Sequence, residues 1–129
     1  MYYNPNRQDV LKIKSKLYIA KYLSTDQDEN LNQKQVYDTP KKYYFNVMPV
    51  NQDSEIKEFG ELVTSMKVAV ITEKLKYYNK FTEFDKAYLD GATPNNELEN
   101  GDNANYRVYA IRKQNSIIRV YFLKIINNQ

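Results

Sequence analysis

The chain has 129 residues and a net charge of +3, from 19 basic and 16 acidic side chains spread along its length. That size supports one domain with a proper core, and so even a charge balance lacks the basic stripe of a dedicated nucleic-acid binder. Cysteine and histidine are both absent, which excludes disulfides, thiolate metal sites and imidazole acid–base chemistry. Thirteen tyrosines and no tryptophan favour half-buried sheet faces and protein contacts, because a tyrosine couples an apolar ring to a wet hydroxyl.

The opening residues Met1 to Arg7 contain no apolar stretch resembling a secretory signal, and no window reaches the ~20 apolar residues of a membrane span. The expectation is a protein kept in a reducing aqueous compartment. Tyr2, Tyr3 and Pro5 precede any core periodicity, so residues 1–8 form an arm that either frays or docks on a neighbour.

From Asp9 to Leu23 the pattern alternates. Leu11, Ile13, Leu17 and Ile19 share one face, and Lys12, Lys14 and Lys16 the other, which predicts a strand. The lysine face could track a phosphate backbone, but a solvated face is the preferred reading, since alternating lysine also protects edge strands. Lys41 and Lys42 are read the same way. Residues 24–39 are polar and rich in Asp, Asn and Gln, predicting a long exposed loop. Within it Asp26, Asp28 and Asn30 have the spacing of a calcium loop, but Leu31 stands where glycine is needed and Tyr37 where a bidentate glutamate is needed. A solvated acidic loop is the better reading.

Lys42 to Val50 predicts a strand closed by Pro49. Asp53 or Ser54 caps a short helix with Ile56 and Phe59 on one side and Gly60 at its end. Ser65 to Thr72 is a strand, Tyr77 to Phe84 a short helix or an irregular link, and Asp85 to Leu89 a short strand ended by the turn pair Asp90-Gly91. Residues 91–105, with Pro94 and Gly101, form a second polar loop. Tyr106 to Arg112 and Ile117 to Ile125, joined by Lys113-Gln114-Asn115-Ser116, form a hairpin. In its second strand Ile118, Val120 and Phe122 share one face and Ile117, Arg119, Tyr121 and Leu123 the other. Two apolar faces predict cover on both sides, in a barrel or at a subunit interface. The fold class is therefore mainly β: a small barrel or sandwich of about six strands with one or two short helices and long loops.

Glu83 with Asp85, or Glu97 with Glu99, could supply a carboxylate pair. No nucleophile elbow, phosphate loop or metal spacing accompanies them. The chain is expected to be neither an enzyme nor a cofactor binder.

The stretch Phe81-Thr82-Glu83-Phe84-Asp85-Lys86-Ala87-Tyr88-Leu89, then Thr93-Pro94, Asn105-Tyr106-Arg107-Val108 and the closing strand Ile118 to Phe122 resembles the small head–tail connector (head-completion, or stopper) proteins of long-tailed bacteriophages. The likeness covers about residues 42–125. Ala87 replaces a Val-like residue, and residues 24–39 have no counterpart in it. The resemblance implies a β-barrel subunit in a virion-neck ring below the portal, assembled in the host cytoplasm. Its partners would be its own copies, portal or adaptor proteins and tail proteins, with packaged DNA passing through and no membrane involved. Ring contacts are expected at Tyr2, Tyr3, Tyr109, Tyr121 and Leu123, and loop contacts at Asp26, Asp28, Lys41, Lys42, Pro94 and Asn105.

Overall fold

The computed structural model describes residues 14–27, 29–94 and 103–126. Its strands are β1 (Ser15–Ala20), β2 (Tyr22–Gln27), β3 (Gln33–Tyr37), β4 (Lys41–Pro49), β5 (Met66–Ile71), β6 (Lys86–Tyr88), β7 (Tyr106–Lys113) and β8 (Ile118–Lys124). Helix α1 (Asp53–Phe59) runs into a 3-10 segment (Gly60–Ser65), and α2 (Lys74–Tyr77) is a single turn. Six strands close an antiparallel barrel in the order β1-β4-β5-β8-β7-β6, while β2 and β3 form a separate two-stranded ribbon. The mainly β expectation holds, and the architecture is the barrel.

Alternation explains the closure. Leu17 and Ile19 of β1, Phe45 of β4, Ala69 and Ile71 of β5, Val108 of β7, and Ile118, Val120 and Phe122 of β8 all turn inward and are buried together. One end of this interior is closed by rings: Tyr77 and Phe81 stack on each other at 6.0 Å, and each meets Phe45 edge-on, at 5.2 and 6.0 Å. The link after α2 is thus a lid for the barrel.

The outer face of β5, β8 and β7 carries a second cluster, in which Val50, Met66, Val68, Ala110 and Tyr121 pack with Phe59 and Val63. A bulge between Val108 and Ala110 inserts Tyr109 and puts two successive residues on this face, after which Ile111 returns to the interior cluster. The predicted two-sided cover of β8 is therefore supplied by the chain itself: α1 and the 3-10 segment lie over Tyr121.

Two local expectations change. The N-cap of α1 is Gln52, in a capping box with Glu55, so Asp53 already lies inside the helix. The helix buries Glu55, while Ile56 is exposed, because Arg119 and Tyr121 of β8 offer polar partners that the apolar pattern could not reveal. Gly60, at φ 59°, does end the α-helix, since glycine meets no Cβ penalty there.

The larger correction concerns residues 24–39. Tyr22 pairs with Tyr37, Thr25 with Gln35, Asp26 with Lys34 and Gln27 with Gln33, so most of the predicted loop is a hairpin. A ribbon solvated on both faces has no apolar alternation, and hydrophobic periodicity is blind to it. The predicted strand ending at Leu23 is also divided: β1 stops at Ala20, and β2 begins at Tyr22.

Candidate functional site

The ribbon β2–β3 is the most distinctive surface feature, and its root is held by one carboxylate. Asp85 is fully buried. Its Oδ2 accepts the Thr82 backbone N–H at 2.9 Å, and its Oδ1 accepts the Thr82 hydroxyl at 2.8 Å. The same Oδ1 accepts the Tyr22 N–H at 2.8 Å, across 63 residues of chain. Thr82 and Asp85 also close a backbone turn, Asp85 N to Thr82 O at 3.2 Å. A buried carboxylate so supplied with donors is satisfied, and its work is mechanical: it joins the first residue of the ribbon to the barrel.

Rings complete the root. Tyr22 lies 5.3 Å from Phe84 and meets Tyr37 edge-on at 5.8 Å. The Lys86 ammonium sits 5.1 Å from the Tyr37 ring centre. Burial, followed by the charge of Asp85, pushes the Tyr37 hydroxyl above its ordinary pKa. Beyond the root the ribbon is wet. Leu23 is exposed where the register shifts between Tyr22 and Ser24, and Leu31 in the tip turn is 72% exposed. Leu31 also has φ 64°, a left-handed conformation that costs a side-chain-bearing residue about 1–3 kcal/mol.

The carboxylate pairs do not become an acid–base site. Glu83 is exposed while Asp85 is buried and committed to its donors, and Glu97 and Glu99 lie outside the described residues. Asp26 is exposed on β2, and Asp28 lies outside the described residues. Among the described residues no group of three acidic side chains is placed to hold a metal ion.

Of the expected ring contacts, Tyr2 and Tyr3 lie outside the described residues. Tyr121 is 4% exposed, which corrects its assignment as a contact residue. Its hydroxyl donates to Glu55, and Arg119 lies 3.7 Å from the same carboxylate. Burial and then the hydrogen bond to Glu55 push the Tyr121 hydroxyl up to about 12. Arg112 and Arg119 face each other across β7 and β8, a repulsive pairing that Glu58 and Glu55 of α1 neutralise through ion pairs. Tyr109 packs edge-on against Phe59 at 5.9 Å, and Leu123 is half-buried beside it. Both sit at the rim of the helix-covered cluster.

Among the expected loop contacts, Lys41 and Lys42 are exposed at the start of β4, and Pro94 is half-buried. Asn105 is half-buried and hydrogen-bonded within the chain. Its amide accepts the Leu89 N–H at 3.0 Å and donates to the Leu89 carbonyl at 2.9 Å, extending the β6–β7 ladder where β6 ends. Asn103 accepts the Tyr88 hydroxyl at 2.7 Å and donates to Thr93 O at 3.0 Å, so both asparagines hold the turn at Asp90-Gly91. There Tyr106 donates to Asp90 at 2.9 Å, and Lys67 forms an ion pair with it. Burial favours a raised Asp90 pKa, but donation by Lys67 and Tyr106 outweighs it and holds the carboxyl below its ordinary value. Burial and the Asp90 contact push Tyr106 up to about 12.

Sequence reasoning missed the ribbon, the Asp85 anchor and Glu55. The Thr82-x-x-Asp85 spacing was the one available signal, since it is the pattern of a side chain closing its own turn. Comparison with protein-family models, with curated proteins and with solved structures finds no match for this chain.

Proposed function

We propose that this chain is a structural subunit of the head–tail connector of a long-tailed bacteriophage, assembling with its own copies into a ring below the portal. In that role the barrel is the rigid body of each subunit, and the β2–β3 ribbon is the arm that reaches a neighbouring subunit, the portal or adaptor, or the tail. Packaged DNA passes through the ring, and the chain performs no catalysis. The observation that carries the reading is an exposed ribbon, firmly rooted by Asp85, whose tip presents an apolar side chain in a strained conformation. Strain and exposed apolar surface are retained where assembly uses them. Support also comes from the phrase Phe81 to Leu89. Its Phe81, Asp85, Ala87, Tyr88 and Leu89 are all buried, so the residues carrying the resemblance are those that build the barrel and its anchor. A ring needs two different contact surfaces on each subunit. The ribbon offers Leu23 and Leu31, and the barrel end around α2 offers Leu75, 95% exposed, with Tyr78.

The test exchanges residues 28–32 for Asn-Gly, which supports a tight hairpin turn, in the genome that encodes the chain. The expected result is a folded protein with filled heads that fail to join tails. Undiminished infectious particles would overturn the arm's role. The alternatives, a tail-terminator layer of the same neck or a small mobile-element-encoded inhibitor, differ in where the chain is found: at the tail's upper end, or bound to a non-virion protein.

A further inference from the structure

The lysines of β1 and β4 meet on one outer wall of the barrel. Antiparallel pairing sets Lys16 opposite Tyr44 and Tyr18 opposite Lys42, so lysine and tyrosine alternate both along and across the two strands. Lys14, exposed just ahead of β1, has the same parity. The intervening Leu17, Ile19, Tyr43 and Phe45 pack in or against the interior cluster, which leaves Lys14, Lys16, Lys42 and Tyr44 exposed, the last at 54%.

Edge protection is one use of this wall: β6 covers β1 only at Tyr18–Ala20 and β5 covers β4 only at Asn46–Pro49, so the lysines border unpaired strand backbone, where they repel wrong partners. It does not explain the exposed Tyr44 ring among them. Charge pairing does not account for the lysines. There is no acidic residue from Val10 to Thr25 or from Thr39 to Gln52. Among the described residues, the salt bridges engage Lys67, Lys76, Arg112 and Arg119, and not Lys14, Lys16 or Lys42. An exposed ring among such charges is the arrangement that holds single-stranded nucleic acid: ammonium groups on phosphates, a base on the ring.

We propose that the outer β1–β4 wall binds single-stranded nucleic acid without sequence preference, Lys14, Lys16 and Lys42 meeting phosphates and Tyr44 stacking an unpaired base. This inference does not rest on the connector reading.

The test is fluorescence anisotropy of a labelled single-stranded oligonucleotide and of its duplex with the full chain, at salt between about 50 and 200 mM. Three phosphate contacts predict a log–log salt slope of about −2 for the single strand, a loss of about 20-fold over that range. The Lys16→Gln, Lys42→Gln double variant lowers the slope by about 1.4, and Tyr44→Ala weakens single-strand binding by about tenfold or more while sparing the duplex. Lys57→Gln, on the exposed side of α1, leaves both unchanged. All these positions are exposed, and circular dichroism checks that each variant folds. Absence of binding at the lowest salt, or an unaltered slope in the double lysine variant, overturns the site. Binding that ignores Tyr44→Ala overturns the stacking role and the preference for single strands.

Discussion

The barrel and the β2–β3 ribbon are built from opposite materials. Every barrel strand buries an apolar face, and β8 buries two, against the interior cluster and against α1. The ribbon buries almost nothing beyond Tyr37, and a two-stranded hairpin alone is marginal in water. What orders it is its root, where Asp85, Tyr22, Phe84 and Lys86 attach it to the barrel. An element that contributes little to the core, carries exposed leucines and is anchored by a buried carboxylate is the feature on which the proposed arm role rests.

Breaking the root gives the largest expected effect. Asp85→Ala leaves the Tyr22 and Thr82 donors without their acceptor and lowers stability by about 3 kcal/mol, measured by urea unfolding. The ribbon amides lose hydrogen-exchange protection ahead of those of β5 and β8. Equal loss in both regions would mean that Asp85 supports the barrel as a whole.

Within the barrel, Tyr121→Phe removes the hydroxyl that Glu55 accepts and costs about 1–2 kcal/mol. The same contact sets a pH dependence. Burial and the carboxylate contacts push Tyr121 and Tyr106 up to about 12 in the folded chain, from an ordinary value of 10, so folding favours their protonated forms. The stabilisation is fully present below pH 10 and is lost as pH rises through 12. Thermal unfolding across that range follows this fall, and Tyr121→Phe makes it shallower. A wild-type stability unchanged from pH 9 to 12 would contradict the buried hydroxyl contacts.

Smaller effects belong to the tip. Leu31→Gly removes a Cβ from a residue at φ 64° and raises stability by about 0.5 kcal/mol, the relieved strain being partly offset by the greater freedom of glycine in the unfolded chain. Replacing residues 28–32 by Asn-Gly shifts stability least, by under about 0.5 kcal/mol, as expected of an exposed surface change.

Much of the barrel was legible because its strands report burial directly. Leu17 and Ile19, Met66 to Ile71, and Ile118 to Phe122 carry the alternation that closure demands. The ribbon was not, because Thr25, Gln33 and Gln35 pair through backbone alone and leave no apolar trace. The cover on β8 was half legible: two apolar faces in the sequence required two partners, but nothing local distinguished the chain's own helix from a second subunit. Asp85 and Asn105 appeared as candidate chemistry and loop contact because their partners, Tyr22 and Leu89, lie 63 and 16 residues away.

The connector proposal is tested most directly by mass spectrometry of gradient-purified, tailed particles produced from the genome that encodes the chain. The account predicts the polypeptide in filled, tailed particles and, on gentle disruption, in a ring-shaped neck complex. Its absence from particles that are intact and infectious would contradict the account.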